Sequence, residues 1–318
     1  MARILPTGGR PGKVGPRVRV RGLVESARRR IGPLGGGGYW RCILQPMSDA
    51  AVIGRTATGI AYEVAGGGSP VVLVHAGVAD RRMWDPQWAA LTARHRVARY
   101  DARGYGESLP PAGPWSQHGD LLALMDELGM TGAHLVGASM GAGIAVEAAL
   151  AQPEAVASLV LAAPGGALLG TPSDALQAVW REEIAALDGG QIDAAVEVNL
   201  RAWVDGPSRP VEAIDPALRA FVGTMQRDAF ELPEWDPDDA PESELSPPAD
   251  ARLAELSAWT LVVVGEADQP ETVVAAHRLA THVAGARLVS WPDVAHMVSL
   301  ERPVEFERLV LDFIDSVA

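Results

Sequence analysis

The stretch His134-Leu-Val-Gly-Ala-Ser139-Met-Gly-Ala-Gly143 decides the fold of this chain. Its first half is an apolar run typical of a buried strand, and its second half opens the alanine-rich stretch 140–152, which predicts a helix. Gly137-x-Ser139-x-Gly141 between them matches the sharp strand-to-helix turn that exposes a serine hydroxyl. The alternative is an incidental serine in a glycine-rich turn, but the strand and helix on either side favour Ser139 as a nucleophile.

Apolar runs alternate with helical patterns along the rest of the chain. Strands are expected at 52–56, 59–65, 71–75, 96–101, 134–138, 159–163, 261–265 and 287–291. Helices are expected at 83–92, 117–128, 140–152, 272–283 and 304–316. Strands that are buried on both faces read as continuous apolar runs, and helices between them cover the two faces of a sheet. The pattern predicts an α/β fold with a mostly parallel sheet flanked by helices.

Composition divides the chain into three parts. Residues 1–46 hold ten Lys or Arg and one acid, with many glycines and prolines, which predicts a disordered basic extension. The alternation of strands and helices stops over 165–250, where helices are expected at 176–187, 192–204 and 216–230, followed by an acidic, proline-rich segment. We expect 165–250 to form a helical cap inserted into a core made of 47–164 and 251–318.

Charge and cysteine content exclude several classes of protein. The chain has 318 residues and a net charge of −13, and beyond residue 46 it carries 17 bases against 39 acids. An acidic body repels phosphate backbones, so nucleic acid is not an expected partner. Cys42 is the only cysteine, which excludes an intramolecular disulfide and cysteine-based metal centres. With no membrane-span pattern and no signal peptide, we expect a cytoplasmic enzyme with a small-molecule substrate.

A serine nucleophile needs a base, and the base needs an acid that orients it. His296 follows the last predicted strand, and Asp268 follows the strand 261–265, so both should project from the carboxyl edge of the sheet. Glu266 and Asp293 are the alternative acids. The order Ser139, Asp268, His296 is the order of one known class of triad.

Two further loops follow predicted strands at the same edge. His75-Ala-Gly77 ends the strand 71–75 and could present a backbone N–H beside that of Met140 to form an oxyanion hole. His75 itself is expected to brace this loop. Asp101-x-Arg-Gly-x-Gly-x-Ser108 suits a compact, hydrogen-bonded loop, to which we assign structural support.

These motifs, in this order, resemble the α/β-hydrolase superfamily over residues 50–318. The resemblance implies an eight-stranded, mostly parallel sheet with a helical cap, and no metal or organic cofactor. It implies Ser139 as nucleophile, His296 as base and Asp268 as its acid, with Gly77 and Met140 as the oxyanion donors. Substrate contacts are expected from Val78, Trp84, Trp180, Trp203 and Met297, although tryptophans at helical spacing also occur in cores.

Departures from particular subfamilies narrow the predicted chemistry. A serine at the nucleophile position argues against haloalkane dehalogenases and epoxide hydrolases, and Met297 stands where carbon–carbon hydrolases have a tryptophan after the histidine. The sequence predicts a serine hydrolase acting on a carboxylic ester or lactone of a small, apolar molecule. The alternatives are carbon–carbon cleavage, acyl transfer or cyclisation on the same scaffold, or a ligand-binding protein without turnover.

Overall fold

The computed structural model describes residues 51–317, so the predicted basic extension lies outside the described residues. One eight-stranded sheet runs through them in the order β1-β2-β4-β3-β5-β6-β7-β8. The first two strands form a hairpin whose second strand pairs antiparallel with β4, and every other neighbouring pair is parallel. The predicted α/β fold with a mostly parallel sheet is confirmed.

The strands match the apolar runs of the sequence to within a few residues. They are β1 (Val52–Arg55), β2 (Ala61–Ala65), β3 (Pro70–Val74), β4 (Arg96–Tyr100), β5 (Ala133–Ala138), β6 (Val156–Ala162), β7 (Trp259–Gly265) and β8 (Arg287–Trp291). All six residues of β5 are buried, because helices cover both faces of the sheet at its centre.

Helices connect the parallel strands and fill the long insertion. They are α1 (Asp85–Thr92), α2 (Gln117–Glu127), α3 (Met140–Ala151), α4 (Asp174–Asp188), α5 (Ile192–Asn199), α6 (Pro216–Phe230), α7 (Pro270–His282), α8 (Val298–Glu301) and α9 (Pro303–Val317). None of these described helices has the length and apolar composition of a transmembrane span.

The segment between β6 and β7 contains α4, α5 and α6 and no strand among its described residues. Serine and aspartate side chains begin two of its helices, since Ser173 accepts from the Leu176 N–H and Asp215 from the Ala217 N–H. A proline-rich stretch then returns to the core, where the Trp235 ring packs edge-on against Trp115 with ring centroids 5.9 Å apart. This segment covers the range that we expect to act as a cap.

One helix of the structure departs from the sequence prediction in its second half. The periodicity of 192–204 predicts one continuous helix, but α5 ends at Asn199 and the chain continues as a π-helix, Leu200–Asp205. Gly206 follows with φ of 80° and ψ of 158°, a conformation that is accessible to glycine alone. Tertiary contacts of this turn with the core, described below, override the local preference for an α-helix.

The parallel strands carry all the predicted site loops to one edge. The register pairs Val74 of β3 with Gly137 of β5, and Gly265 of β7 with Trp291 of β8, so these strands end at similar heights. Strand order reverses around β3, which lies between β4 and β5, and crevices at such switch points collect ligands in open α/β sheets. The carboxyl edge near β3 and β5 is therefore where a site is expected.

The last helix is attached to the core by Phe306, which is fully buried and stacks on Trp84 with ring centroids 6.2 Å apart. We predict that Phe306→Ala lowers the free energy of unfolding by about 3–5 kcal/mol, because it leaves a cavity under α9. Val304→Ala on the same helix is the matched control, since Val304 is 52% exposed, and should change stability by less than about 0.5 kcal/mol. Denaturant unfolding measures both, and a loss below about 1 kcal/mol for Phe306→Ala would contradict this packing role.

Candidate active site

Ser139 occupies the turn between β5 and α3 in a strained backbone conformation, with φ of 53° and ψ of −115°. Backbone hydrogen bonds hold it there: its N–H donates to Ala162 O over 2.9 Å, and its carbonyl accepts from Ala142 N at 2.9 Å and Gly165 N at 3.1 Å. Strain of this kind persists only where surrounding contacts determine the conformation, and it concentrates at functional sites. The residue as a whole is half-buried.

The two glycines around Ser139 are required by close backbone contacts. A Cβ on Gly137 would lie 2.3 Å from the carbonyl oxygen of Gly141. A Cβ on Gly141 would lie 2.2 Å from the carbonyl oxygen of Val74 in β3. The G-x-S-x-G pattern thus follows from the packing of β5 and α3 against each other and against β3.

Asp268 and His296 form a buried pair. His296 Nδ1 lies 2.7 Å from Asp268 Oδ2, and the other carboxylate oxygen accepts from the Gln269 N–H over 2.6 Å. Because the two imidazole nitrogens lie on opposite sides of the ring, the bond at Nδ1 leaves Nε2 directed away from the carboxylate. The alternative acids Glu266 and Asp293 are exposed, and Asp268 is the carboxylate that the structure brings to the imidazole.

Backbone contacts join the loops that carry this pair. The Ala267 N–H donates to Val294 O over 3.0 Å and the Glu266 N–H donates to Trp291 O over 2.9 Å. A Cβ on Gly265 would lie 2.1 Å from Val294 O, so only glycine permits the two loops to approach this closely. The loops that carry Asp268 and His296 are therefore held against each other by main-chain contacts.

Ser139 stands at the same edge as this pair, but among residues 51–317 no hydrogen bond joins its hydroxyl to His296. Hydrogen bonds of catalytic groups often tighten only when substrate binds, so the absence of this bond is no argument against proton transfer from the serine. Within the same residues, no group of three or more His, Cys, Asp or Glu side chains is placed to hold a metal ion.

His75 braces the loop after β3, as its position predicts. Its Nδ1 donates to Ala76 O over 2.8 Å and its Nε2 accepts from the Ala102 N–H over 2.9 Å, which fixes one neutral tautomer. The ring packs edge-on against Tyr105 at 4.9 Å, and burial lowers the pKa of His75 below its usual 6.5. The Ala76 N–H donates to Met83 Sδ over 3.2 Å, so this amide has a partner within the protein.

The two predicted oxyanion donors are Gly77, in the loop after β3, and Met140, which directly follows Ser139. Gly77 is buried three residues beyond the end of β3. Met140 is the first residue of α3, and N–H groups in a first helical turn have no acceptor in their own helix. The positive end of the helix dipole at this position favours an anion, which is the charge that develops in acyl transfer.

The Asp101 loop is tied together by side-chain hydrogen bonds. Asp101 Oδ1 accepts from the Arg81 N–H over 3.0 Å and Oδ2 from the Glu107 N–H over 2.9 Å, and the carboxylate also pairs with the Arg81 guanidinium. A Cβ on Gly106, whose φ is 49°, would lie 2.1 Å from this carboxylate. These contacts hold the loop beside His75 and agree with the structural role assigned to it.

The predicted substrate contacts occupy different environments. Trp203 is buried and its ring lies against the His296 imidazole, with centroids 4.6 Å apart. Val78 and Met297 are buried beside the predicted oxyanion loop and the base, and Trp180 is half-buried on α4. Trp84 is fully buried against Phe306, which places it in the packing between α1 and α9.

Sequence reasoning missed several residues that link the insertion to the acid and base loops. The Gln269 side chain donates to Ala202 O over 2.8 Å, and Arg209 donates to Asp293 O over 2.9 Å and pairs with Glu301. Arg and Gln are common surface residues, so their types alone gave no signal. Apart from the Glu301 carboxylate, their partners are backbone carbonyls of a π-helix and a loop, which no spacing rule identifies.

We predict that Gly141→Ala destabilises the protein by about 2 kcal/mol or more, because its Cβ must displace the backbone of β3. Gly67→Ala is the matched control, since a Cβ there meets no atom within 4 Å. Thermal unfolding measures stability, and labelling by a fluorophosphonate measures exposure of an activated serine. Wild-type stability and labelling in Gly141→Ala would refute the proposed close packing.

Buried histidines make the stability depend on pH. Burial lowers the pKa of His75, His95 and His134 below 6.5, so near and below that pH the unfolded chain binds more protons than the folded one. The free energy of unfolding should therefore fall as the pH drops from about 7.5 to about 5.5. We predict a smaller fall for His75→Gln, while His277→Gln on the exposed side of α7 retains the wild-type fall. Equal falls in all three proteins, measured by denaturant unfolding, would contradict the contribution of His75.

Comparison with known proteins places this architecture in a family. The model of an alpha/beta hydrolase family matches residues 71–309. A putative carbamate hydrolase, RutD of Caulobacter segnis, is 28% identical over 276 residues, which cover 82% of this chain and 98% of the relative. A 2-hydroxy-6-oxo-6-phenylhexa-2,4-dienoate hydrolase of Comamonas testosteroni is 27% identical over 281 residues, or 80% of this chain and 91% of the relative.

A solved structure of a lactonase has a similar fold. The enol-lactonase from Burkholderia xenovorans superposes with a TM-score of 0.64 at 26% identity, covering 80% of this chain and 96% of the lactonase. The family match extends from β3 into α9 and so includes the loops that carry Ser139, Asp268 and His296. The chain belongs to the α/β-hydrolase family.

Proposed function

We propose that this chain is a serine hydrolase that cleaves a carboxylic ester or lactone of a small, largely apolar molecule through an acyl-enzyme. The observation that carries the proposal is the buried Asp268–His296 pair, 2.7 Å between Oδ2 and Nδ1, on the sheet edge where Ser139 occupies its strained turn. An acid that holds an imidazole in one tautomer, at the same sheet edge as a half-buried serine, is the arrangement that activates a hydroxyl nucleophile.

In the first half of the reaction, His296 Nε2 accepts the hydroxyl proton as Ser139 Oγ attacks the ester carbonyl carbon. The carbonyl oxygen becomes an oxyanion, which the backbone N–H groups of Gly77 and Met140 stabilise. The tetrahedral intermediate then collapses, the bond to the alcohol oxygen breaks, and His296 returns the proton to that oxygen. Asp268 remains ionised and stabilises the imidazolium that forms in between.

In the second half, water replaces the alcohol. His296 Nε2 accepts a proton from the water as its oxygen attacks the acyl carbon, and the same two N–H groups stabilise the second oxyanion. Collapse of this intermediate breaks the bond to Ser139 Oγ, which recovers its proton from His296. A carboxylic acid leaves and the enzyme returns to its starting state. For a lactone, the alcohol and the acid are parts of one ring-opened product.

The residues next to the predicted oxyanion donor and base support an apolar substrate. Val78 and Met297 are apolar, buried and adjacent in the chain to Gly77 and His296. The chain beyond residue 46 carries far more acids than bases, which disfavours strongly anionic substrates. Similarity to an enol-lactonase over 96% of that enzyme favours a lactone among the candidate substrates.

Carbon–carbon hydrolysis is the second candidate. It is favoured by the 27% identity to a 2-hydroxy-6-oxo-6-phenylhexa-2,4-dienoate hydrolase across 91% of that enzyme. Such a reaction would use the same nucleophile, base and oxyanion donors but would break a bond to carbon and not to oxygen. Assay of a vinylogous diketone beside simple esters separates the two candidates.

We predict that Ser139→Ala lowers kcat/KM on a series of short p-nitrophenyl esters by about 10⁴-fold or more, because the nucleophile is removed. It should also abolish labelling by a fluorophosphonate. Ser257→Ala, at an exposed serine before β7, is the matched control and should behave as wild type. Ester hydrolysis that survives in Ser139→Ala would refute the proposal. Wild type that is labelled but cleaves only the diketone would establish the second candidate in its place.

A further inference from the structure

The π-helical turn at the end of α5 lies directly on the two loops that carry the acid and the base. We name Leu200–Gly206 the docking turn. The Gln269 side chain donates to Ala202 O over 2.8 Å, while the backbone N–H of the same residue donates to Asp268. One residue therefore joins the acid and the turn.

Gly206 brings the turn into contact with both loops at once. A Cβ at this position would lie 2.5 Å from Ala267 O in the acid loop and 3.0 Å from Ala295 Cβ in the base loop. Only a residue without a side chain permits this approach. The docking turn is thus packed between the loops and does not merely cover them.

Arg209 closes the turn against the base loop. Its guanidinium donates to Val204 O and Asp205 O, each over 2.7 Å, which satisfies carbonyls at the end of the π-helix. The same group donates to Asp293 O over 2.9 Å and pairs with Glu301, whose second oxygen accepts from the Ala295 N–H over 2.9 Å. The position of the turn and the position of the base loop are linked through one partly buried charge network.

Trp203 is the docking-turn side chain that reaches the base itself. Its ring lies 4.6 Å from the His296 imidazole, centroid to centroid, at an interplanar angle of 47°, and both side chains are buried. The Asp268 hydrogen bond fixes one ring nitrogen but still permits the imidazole to tilt about that bond. A flat, rigid ring against the imidazole removes this freedom and keeps water away from the Asp268–His296 hydrogen bond.

From this geometry we infer that Trp203 is a positioning residue for the base, held in place by the docking turn. The inference rests on the proposed function, because it assigns His296 to proton transfer. It goes further in making the cap part of the catalytic geometry and not only of the substrate pocket. A π-helical segment at this position fits the frequent occurrence of π-bulges at functional sites.

The test compares Trp203→Leu, Trp203→Phe and Trp259→Leu on one p-nitrophenyl ester. Trp203→Leu should lower kcat by about 10- to 100-fold with KM within about threefold, because acylation and deacylation both depend on the orientation of the base. Trp203→Phe retains an aromatic ring and should restore kcat to within about threefold of wild type. Trp259, 61% exposed at the start of β7, is the matched control, and its variant should keep wild-type kinetics.

A spectroscopic signature separates positioning from general loss of structure. The proton shared by His296 and Asp268 should give a downfield resonance in wild type and in Trp203→Phe, and should broaden by exchange with water in Trp203→Leu. Gln269→Met is a second variant that leaves Trp203 in place but removes the hydrogen bond to Ala202. It should lower kcat with little change in KM, so the inference stays testable if Trp203→Leu does not fold.

Three results would overturn the inference. The first is a wild-type kcat in Trp203→Leu or in Gln269→Met. The second is a rise in the KM of these variants with no change in their kcat. The third is a Trp203→Phe variant whose kcat is as low as that of Trp203→Leu. The last result would assign the effect to the indole N–H, which is buried without a partner among the described residues. Ser139→Ala is measured in the same series to test the proposed function separately. If Ser139→Ala still hydrolyses the ester, the proposed function is wrong; if it does not, a negative result in the other variants counts against the role of Trp203 alone.

Discussion

The backbone conformation at Ser139 is the constraint on which the rest of the site depends. A positive φ at a residue with a side chain is unfavourable, so the turn needs the hydrogen bonds from β6 and from the loop after it, and glycines at 137 and 141. The glycines at 137 and 141 allow β3, β5 and α3 to come within backbone contact of one another. The end of β3 and the first turn of α3 are therefore in backbone contact beside the turn that carries Ser139.

The positions of Asp268 and His296 depend on a different feature, which is the close approach of the loops after β7 and β8. Gly265 permits that approach, and the bond between Asp268 and His296 forms across it. The docking turn adds a third element, because Gly206 and Gln269 attach the inserted helices to the same loops. Under the proposed mechanism, a change in the insertion would therefore also act on the loop that carries His296.

The sequence predicted the features that depend on local pattern. Buried parallel strands are continuous apolar runs, so the positions of Ser139, Asp268 and His296 after their strands followed from the chain itself. The roles of the tryptophans did not follow, because Trp84 in the core and Trp203 against the base share the same composition and spacing signals. The π-helix was also missed, since its contacts come from loops more than sixty residues away along the chain.

The measurement that tests the central claim most directly is peptide mapping by mass spectrometry of wild-type enzyme quenched in acid during turnover of a slow ester. The account predicts that the acyl group is attached to the peptide containing Ser139, with the mass of the acyl group in place of one hydrogen. Hydrolysis without any such adduct under conditions where deacylation is slow, or an adduct on another residue, would contradict a mechanism that depends on this serine.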